Sequence, residues 1–227
     1  MKKTFVTLIF SSLIAATGIF VQSTAASAAD EAAAIDIAVQ YRYRRSGSNE
    51  FKTLSDGEVL YSGDSYKIVF TPTETTYVYL FQKGSSGNLY RLFPMKSFNG
   101  VRVDNVNPAQ AGTTYYIPKQ DKSFFLDEQI GDETLYFIAA READTLLEQH
   151  YEQVIIARRG YRSATTLPAA QAGLEKNLLM RDPGGIGDDA AVIDDAEADE
   201  ESAADQKIWQ RLEICEGCVN ILMFRHR

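Results

Sequence analysis

From Ile35 to about Arg141, short runs of β-branched and aromatic residues alternate with clusters of Gly, Pro, Ser, Asn and Asp, the pattern of an all-β sandwich or barrel. The first run puts Ile35, Ile37, Val39, Tyr41 and Tyr43 on one face and Asp36, Gln40, Arg42 and Arg44 on the other, which predicts a half-buried strand. Tyr66, Ile68 and Phe70 repeat the alternation with Lys67 opposite, and Pro72 ends that run because it has no amide proton to give a central ladder. Tyr77 to Phe81 is apolar on both faces, as a strand covered on both sides must be. The polar loop from Gln82 to Asn88 joins it to Leu89–Phe93 as an antiparallel hairpin. Val101–Val103, Thr113–Ile117, Phe124–Leu126 and Thr134–Ala139 are further short strands. The expected fold is therefore mainly β, an antiparallel β-sandwich of about seven to eight strands.

After Ala140 the period changes. Leu146, Leu147, His150, Tyr151, Val154 and Ile155 recur at helical spacing, Asp144 or Thr145 caps the start, and Arg158-Arg159-Gly160 stops the run. This predicts one amphipathic helix packed on the sheets. A weaker apolar cluster from Leu174 to Met180 is a candidate second short helix. The segment from Ile208 and Trp209 to Phe224 regains strand-like composition and is expected to dock back as an added strand or hairpin.

The two ends set the organisation. Lys2 and Lys3, an uncharged apolar stretch from Phe5 to Val21, and Ala26-Ser27-Ala28 keep the order of a secretory signal peptide, cleaved after Ala28. Cleavage leaves 199 residues (227 minus 28), enough for one domain with appendages and with no membrane span of its own. The expected division is 1–28 signal peptide, 29–160 sandwich with its packing helix, 161–206 acidic low-complexity linker, and 207–227 terminal segment. The formal charge is −8, and ten acidic residues with no basic one lie between Asp182 and Asp205, so the imbalance belongs to that tract. Such a tract has too few apolar residues to offset the entropy of ordering it. The rest is near neutral, without the clustered basic face that nucleic-acid binding needs.

Candidate chemistry is sparse. Cys215 and Cys218 are the only cysteines, and in an exported chain that spacing reads first as a disulfide closing a turn at Glu216-Gly217, with Leu212, Ile214, Val219, Ile221 and Met223 as hairpin arms. Two other readings stay open: a thiol-disulfide redox centre, and a zinc site completed by His150 and His226. Against the redox centre, no βαβ unit surrounds the pair, and the residues after Cys218 are apolar and strand-like. The two histidines, His150 and His226, leave little material for a nucleophilic triad, and no Gly-x-Ser-x-Gly elbow or phosphate loop is present. Gly184 to Val192 matches a single copy of a calcium-binding nonapeptide, which needs stacked copies to bind. No residue is assigned to a catalytic role, a cofactor or a metal. Tyrosine and phenylalanine number twelve each, mostly in the β region, and so many hydroxyls are hard to satisfy in one interior. Tyr77, Tyr79, Tyr90 and Tyr115 are accordingly the expected aromatic binding face for an envelope protein or glycan.

The order Asp56-Gly57-Glu58-Val59-Leu60, Ser62-Gly63-Asp64, Tyr77-Val78-Tyr79-Leu80-Phe81, Leu92-Phe93-Pro94, Ile117-Pro118 and Gly131-Asp132-Glu133-Thr134-Leu135-Tyr136 resembles a bacterial extracytoplasmic domain of unknown function. That domain occurs alone after a signal peptide or appended to protein kinases and caspase-like peptidases. The resemblance covers about Leu54 to Arg141 and implies a β-rich accessory domain with no established catalytic residues. Together these readings favour a non-catalytic binding module of the cell envelope, exported to the periplasm. Its alternatives are a thiol-disulfide or metal-dependent function at Cys215 and Cys218, and a hydrolase with an unrecognised site.

Overall fold

In a computed structural model, which describes residues 34–160, 166–186 and 209–227, the first alternating run becomes β1 (Ile35–Arg44). After it come β2 (Lys52–Thr53), β3 (Val59–Leu60), β4 (Ser65–Pro72), β5 (Tyr77–Lys83), β6 (Leu89–Phe93), β7 (Met95–Phe98) and β8 (Val101–Asn105). The chain continues through β9 (Tyr115–Ile117), β10 (Phe124–Phe125), β11 (Gly131–Ala140), α1 (Thr145–Arg158), α2 (Leu167–Leu179), β12 (Gly185–Ile186), β13 (Gln210–Ile214) and β14 (Val219–His226). The stretch at 1–28 expected to be a signal peptide and most of the acidic tract, 187–208, lie outside the described residues.

One sheet runs β10, β4, β1, β13, β12, with β2 also on β1 and β9 also on β4; the second runs β3, β14, β11, β5, β6. All these pairings are antiparallel except β3 with β14. Strands β7 and β8 form a separate hairpin. Between the sheets lies the main core, to which β1 gives Ile37, Val39 and Tyr41, β4 Ile68 and Phe70, β5 Val78 and Leu80, β11 Leu135 and Phe137, and β14 Leu222 and Phe224. Side chains alternate across a strand, so Tyr79, Phe81, Tyr136 and Ile138 face the other way, where Leu147, Val154, Leu174 and Leu178 of the two helices cover them. This helical layer is why β5 is apolar on both faces. Trp209 closes a smaller cluster over Ala38 and Val69 on the outer face of the larger sheet.

The helix α1 starts where Asp144 Oδ1 accepts the Leu147 amide at 2.8 Å, and it ends at Arg159 and Gly160. Its buried stripe is narrower than the periodicity suggests, because Leu147 and Val154 are buried while Leu146 is 54% exposed. A second helix, α2, occupies much of the stretch expected to be linker, and is longer than the Leu174–Met180 cluster. The reason is compositional: the acidity begins only at Asp182, while Ala170, Leu174 and Leu178 form a single buried stripe upstream of it.

The terminal segment docks on the domain, but its arms do not pair as a hairpin. Strand β13 pairs with β1 in one sheet and β14 with β11 in the other, so the turn at Cys215–Cys218 carries the chain between sheets. The inward positions of β14 are therefore Asn220, Leu222, Phe224 and His226, while Ile221 and Met223 are 39% and 51% exposed and Val219 packs in the helical layer.

Candidate functional site

Two clefts adjoin at one end of the sandwich, and the β7–β8 hairpin stands between them. Its tip, Asn99-Gly100, has positive φ at both residues (48° and 76°), as a two-residue turn of type I′ requires. From the tip, Phe98 meets Phe124 edge-on at 5.3 Å, Phe124 lies 5.2 Å from Tyr66, and Tyr66 lies 5.5 Å from Phe224. A row of rings thus runs from the core to the rim.

The first cleft, about 480 Å³, is lined by Phe98, Phe124 and Tyr66 of this row together with Ser86, Asn88, Tyr90, Asn99, Phe125, Asp127 and Gln129. Phe125 is 70% exposed and Tyr90 43% exposed. The Arg158 guanidinium sits 4.5 Å over the Tyr90 ring. At the back, buried Glu133 accepts from Gln82 Nε2 at 2.8 Å and from the Ser85 amide at 2.9 Å, so both carboxylate oxygens are engaged. That closeness depends on Gly131 in β11, where a Cβ would come within 2.8 Å of Ser85 Cβ. Burial, helped by the nearby Glu133 charge, pushes the Tyr66 hydroxyl well above its ordinary value. His226 Nε2 lies 3.1 Å from Ser62 Oγ, but among the described residues no carboxylate bonds to His226, so the pair lacks the orienting group of a triad.

The second cleft, about 420 Å³, is lined by Arg44, Phe51, Lys67, Gln120, Asp121, Lys122 and Ser123, and it shares Phe98, Asn99 and Phe125 with the first. Lys67 is only 7% exposed and donates to the Gln120 carbonyl at 2.8 Å. Arg42, Arg44 and Lys67 all lie over the Phe51 ring, at 5.0, 5.1 and 4.9 Å from its centre. Burial first, and then the two guanidiniums, lower the Lys67 amine to about 8.

The expected aromatic face is not assembled. Tyr79 is 1% exposed and its hydroxyl accepts the Asp144 amide at 3.0 Å, while burial pushes that hydroxyl up to about 12. Tyr115 is stacked on Phe70 at 5.1 Å in the main core, and its hydroxyl accepts the Gln110 amide. Tyr77 is half-buried against the helical layer. Of the four, Tyr90 alone lines either of these two clefts. Alternation along β5 puts Tyr77 and Tyr79 on the face away from the main core, and the helices cover that face. Sequence reasoning misses Phe98, Phe124 and Phe125 as rim residues. The Asn99-Gly100 dipeptide, a strong short-range hairpin signal, would have located the wall that carries Phe98.

Cys215 and Cys218 are joined in a disulfide, with Cys215 exposed and Cys218 buried. The turn is pinned on several sides. The Cys218 amide donates to the Cys215 carbonyl, the Gly217 amide to the Ala139 carbonyl, and Arg181 bridges the Gly217 carbonyl and Asp144 Oδ2. His150 lies on α1 beside Gly173 of α2, and His226 is at the cleft end of β14, so neither approaches a zinc set with the cysteines. Among the described residues, no group of three or more His, Cys, Asp or Glu gathers. In the calcium-type nonapeptide the Gly184 amide donates to the Val219 carbonyl, Gly185 and Ile186 pair with Glu213 and Leu212, and residues 187–192 lie outside the described residues. No helix of the described residues is long and apolar enough to cross a membrane.

A two-sheet sandwich with a helical outer layer and paired clefts at one end is the class the fold defines. A family model described as "Domain of unknown function (DUF4384)" matches residues 59–143, the stretch from β3 to just beyond β11. No curated protein and no solved structure matches the chain.

Proposed function

We propose that the chain is a non-catalytic binding module of the bacterial cell envelope, exported by the signal peptide read at residues 1–28, and that it takes a glycan in the aromatic cleft. The observation that carries this reading is the rim: exposed Phe125 and Tyr90 stand among the amides of Asn88, Asn99 and Gln129, while the buried carboxylate of Glu133 is already committed to two donors. Flat rings that take the apolar face of a sugar, beside amides that take its hydroxyls, make a recognition surface. Export is supported by the order of charged, apolar and small residues at the start of the chain.

Ligand-observed NMR with neutral N-acetylhexosamine oligomers and with a set of extended peptides tests the reading. Binding of an oligomer that weakens about tenfold in Phe125→Ala supports it, a loss of the size expected for one stacking aromatic. Peptide binding alone at this rim replaces the glycan by a protein partner, and turnover of any probe overturns the non-catalytic assignment.

The exposure of Cys215 favours a second reading, a thiol-disulfide role. Mass-spectrometric thiol counting under graded reductant separates the two. A pair that opens near about −200 mV, in the range of labile bridges, favours the redox role, and one that resists leaves the turn a structural staple.

A further inference from the structure

Three cations, Arg44, Lys67 and Lys122, line the second cleft against one carboxylate, Asp121, in a chain whose formal charge is −8. Asp121 is itself shared between Lys119 and Lys122, at 3.7 and 3.5 Å. Among the described residues no carboxylate comes within ion-pair distance of Lys67 or Arg44, and Asp121 acts on Lys67 only from further away. An ammonium has three protons to donate, and the Gln120 carbonyl takes one of those on Lys67. Buried charges are normally paired, so a nearly buried ammonium crowded by two guanidiniums, with Asp121 acting on it only at a distance, is an arrangement that folding alone disfavours. The Phe51 ring holds the three groups in one array, so the cations are organised before anything binds. An incoming anion would supply the missing charge. It would also raise the Lys67 amine from about 8, strengthening its charged state at neutral pH.

We propose that this second cleft is an oxyanion subsite, in which Lys67 and Arg44 receive the carboxylate or phosphate group of an acidic glycan whose neutral part lies in the aromatic cleft. The identification of the bearer as a glycan rests on the function proposed above; the oxyanion chemistry rests on the cations alone. Phe98, Asn99 and Phe125 belong to both linings, so a chain leaving one cleft reaches the other across the hairpin tip. A planar guanidinium and an ammonium side by side suit an oxyanion, the first by paired donors and the second as a point charge.

The test is an amide chemical-shift titration of the full chain at neutral pH with three probes: inorganic phosphate, glucuronate and a neutral N-acetylglucosamine oligomer. Phosphate, glucuronate or both are expected to move the signals of Lys67, Gln120 and Lys122, the stronger of the two identifying the oxyanion. Lys67→Met should weaken that response about tenfold, as expected for loss of a charge-assisted contact, and leave the neutral oligomer's response unchanged. Arg44→Gln, at the cleft wall, serves as the second variant and should do the same. Anions that move nothing in this cleft, or that bind both variants as tightly as the parent chain, overturn the subsite. Anion binding here with no oligomer response at Phe125 keeps the subsite and removes the glycan reading, and the reverse result does the opposite.

Discussion

The stretch matched by the family model, residues 59–143, and the segments on either side of it differ in what they contribute to the same two sheets. The matched stretch carries most of both cleft linings, the β7–β8 hairpin and the central pair β5–β11, while Arg44, Phe51 and His226 come from outside it. Yet it closes neither sheet. In the larger one β4 reaches β13 only through β1, and in the smaller one β3 reaches β11 only through β14, and β1, β13 and β14 all lie outside the match. The stretch that the family model matches is thus smaller than the unit that buries a core. Asp64, inside the matched stretch, ties the two together by accepting from the Ser46 amide at 2.9 Å and from Arg45 at 2.7 Å, both in the preceding segment.

The harshest way to break this comparison is to delete residues 206–227. The deletion removes buried Trp209, Leu212, Ile214, Val219, Leu222 and Phe224. At roughly 1.5–3 kcal/mol for each large side chain, the loss matches or exceeds the net stability of a typical domain. No cooperative thermal transition is expected by circular dichroism, and a deletion that still melts sharply would mean that the matched stretch folds alone. Within β14, Phe224→Ala is expected to cost about 3–5 kcal/mol in urea titration, whereas exposed Met223→Ala should stay within about 0.5.

Asp64→Asn, which loosens the joint between the regions, is expected to cost about 1.5–3 kcal/mol, the range for a hydrogen bond to a charged group. Burial alone would raise this carboxyl, but the Tyr61 and Ser46 amides and Arg45 outweigh it and hold the group below its usual value. A carboxyl depressed in the folded state stabilises the fold above its unfolded value, near 3.9, and that contribution is lost as pH falls through the folded value. The parent chain should therefore lose stability below about pH 4 more steeply than Asp64→Asn, as read from denaturant midpoints. Replacing both cysteines by serine should cost at most about 2 kcal/mol, since the bridge closes a very short loop. A larger loss would show that the turn, not the strands, holds the tail in place.

Much of the sandwich was legible because period-two alternation in β1 and β4 and the two-sided apolar run of β5 each have one structural meaning. Alternation says which side chains share a face, but not what covers that face. Tyr79 and Phe125 show the cost of that gap, since the residue expected at the surface is buried under helices while a residue read only as part of a short strand is the most exposed ring on the rim. The tail misleads in another way. Its two apolar arms around a tight turn look like a hairpin, and only the gap between β3 and β11 decides that the second arm belongs in the other sheet. Lys67 reads as the polar side of a strand. Its neighbours Phe51 and Gln120 come from distant parts of the chain, so no local pattern announces the cluster.

The pairing of Ile35 with Ile214, and of Gly131 and Leu60 with His226, also has a meaning in time. A chain emerging from its amino end presents β1 and β11 with open edges until residues up to His226 are available, so neither sheet is completed before them. Contacts this distant in sequence make folding slow, and leave the unpaired edges of β1 and β11 exposed until the tail arrives.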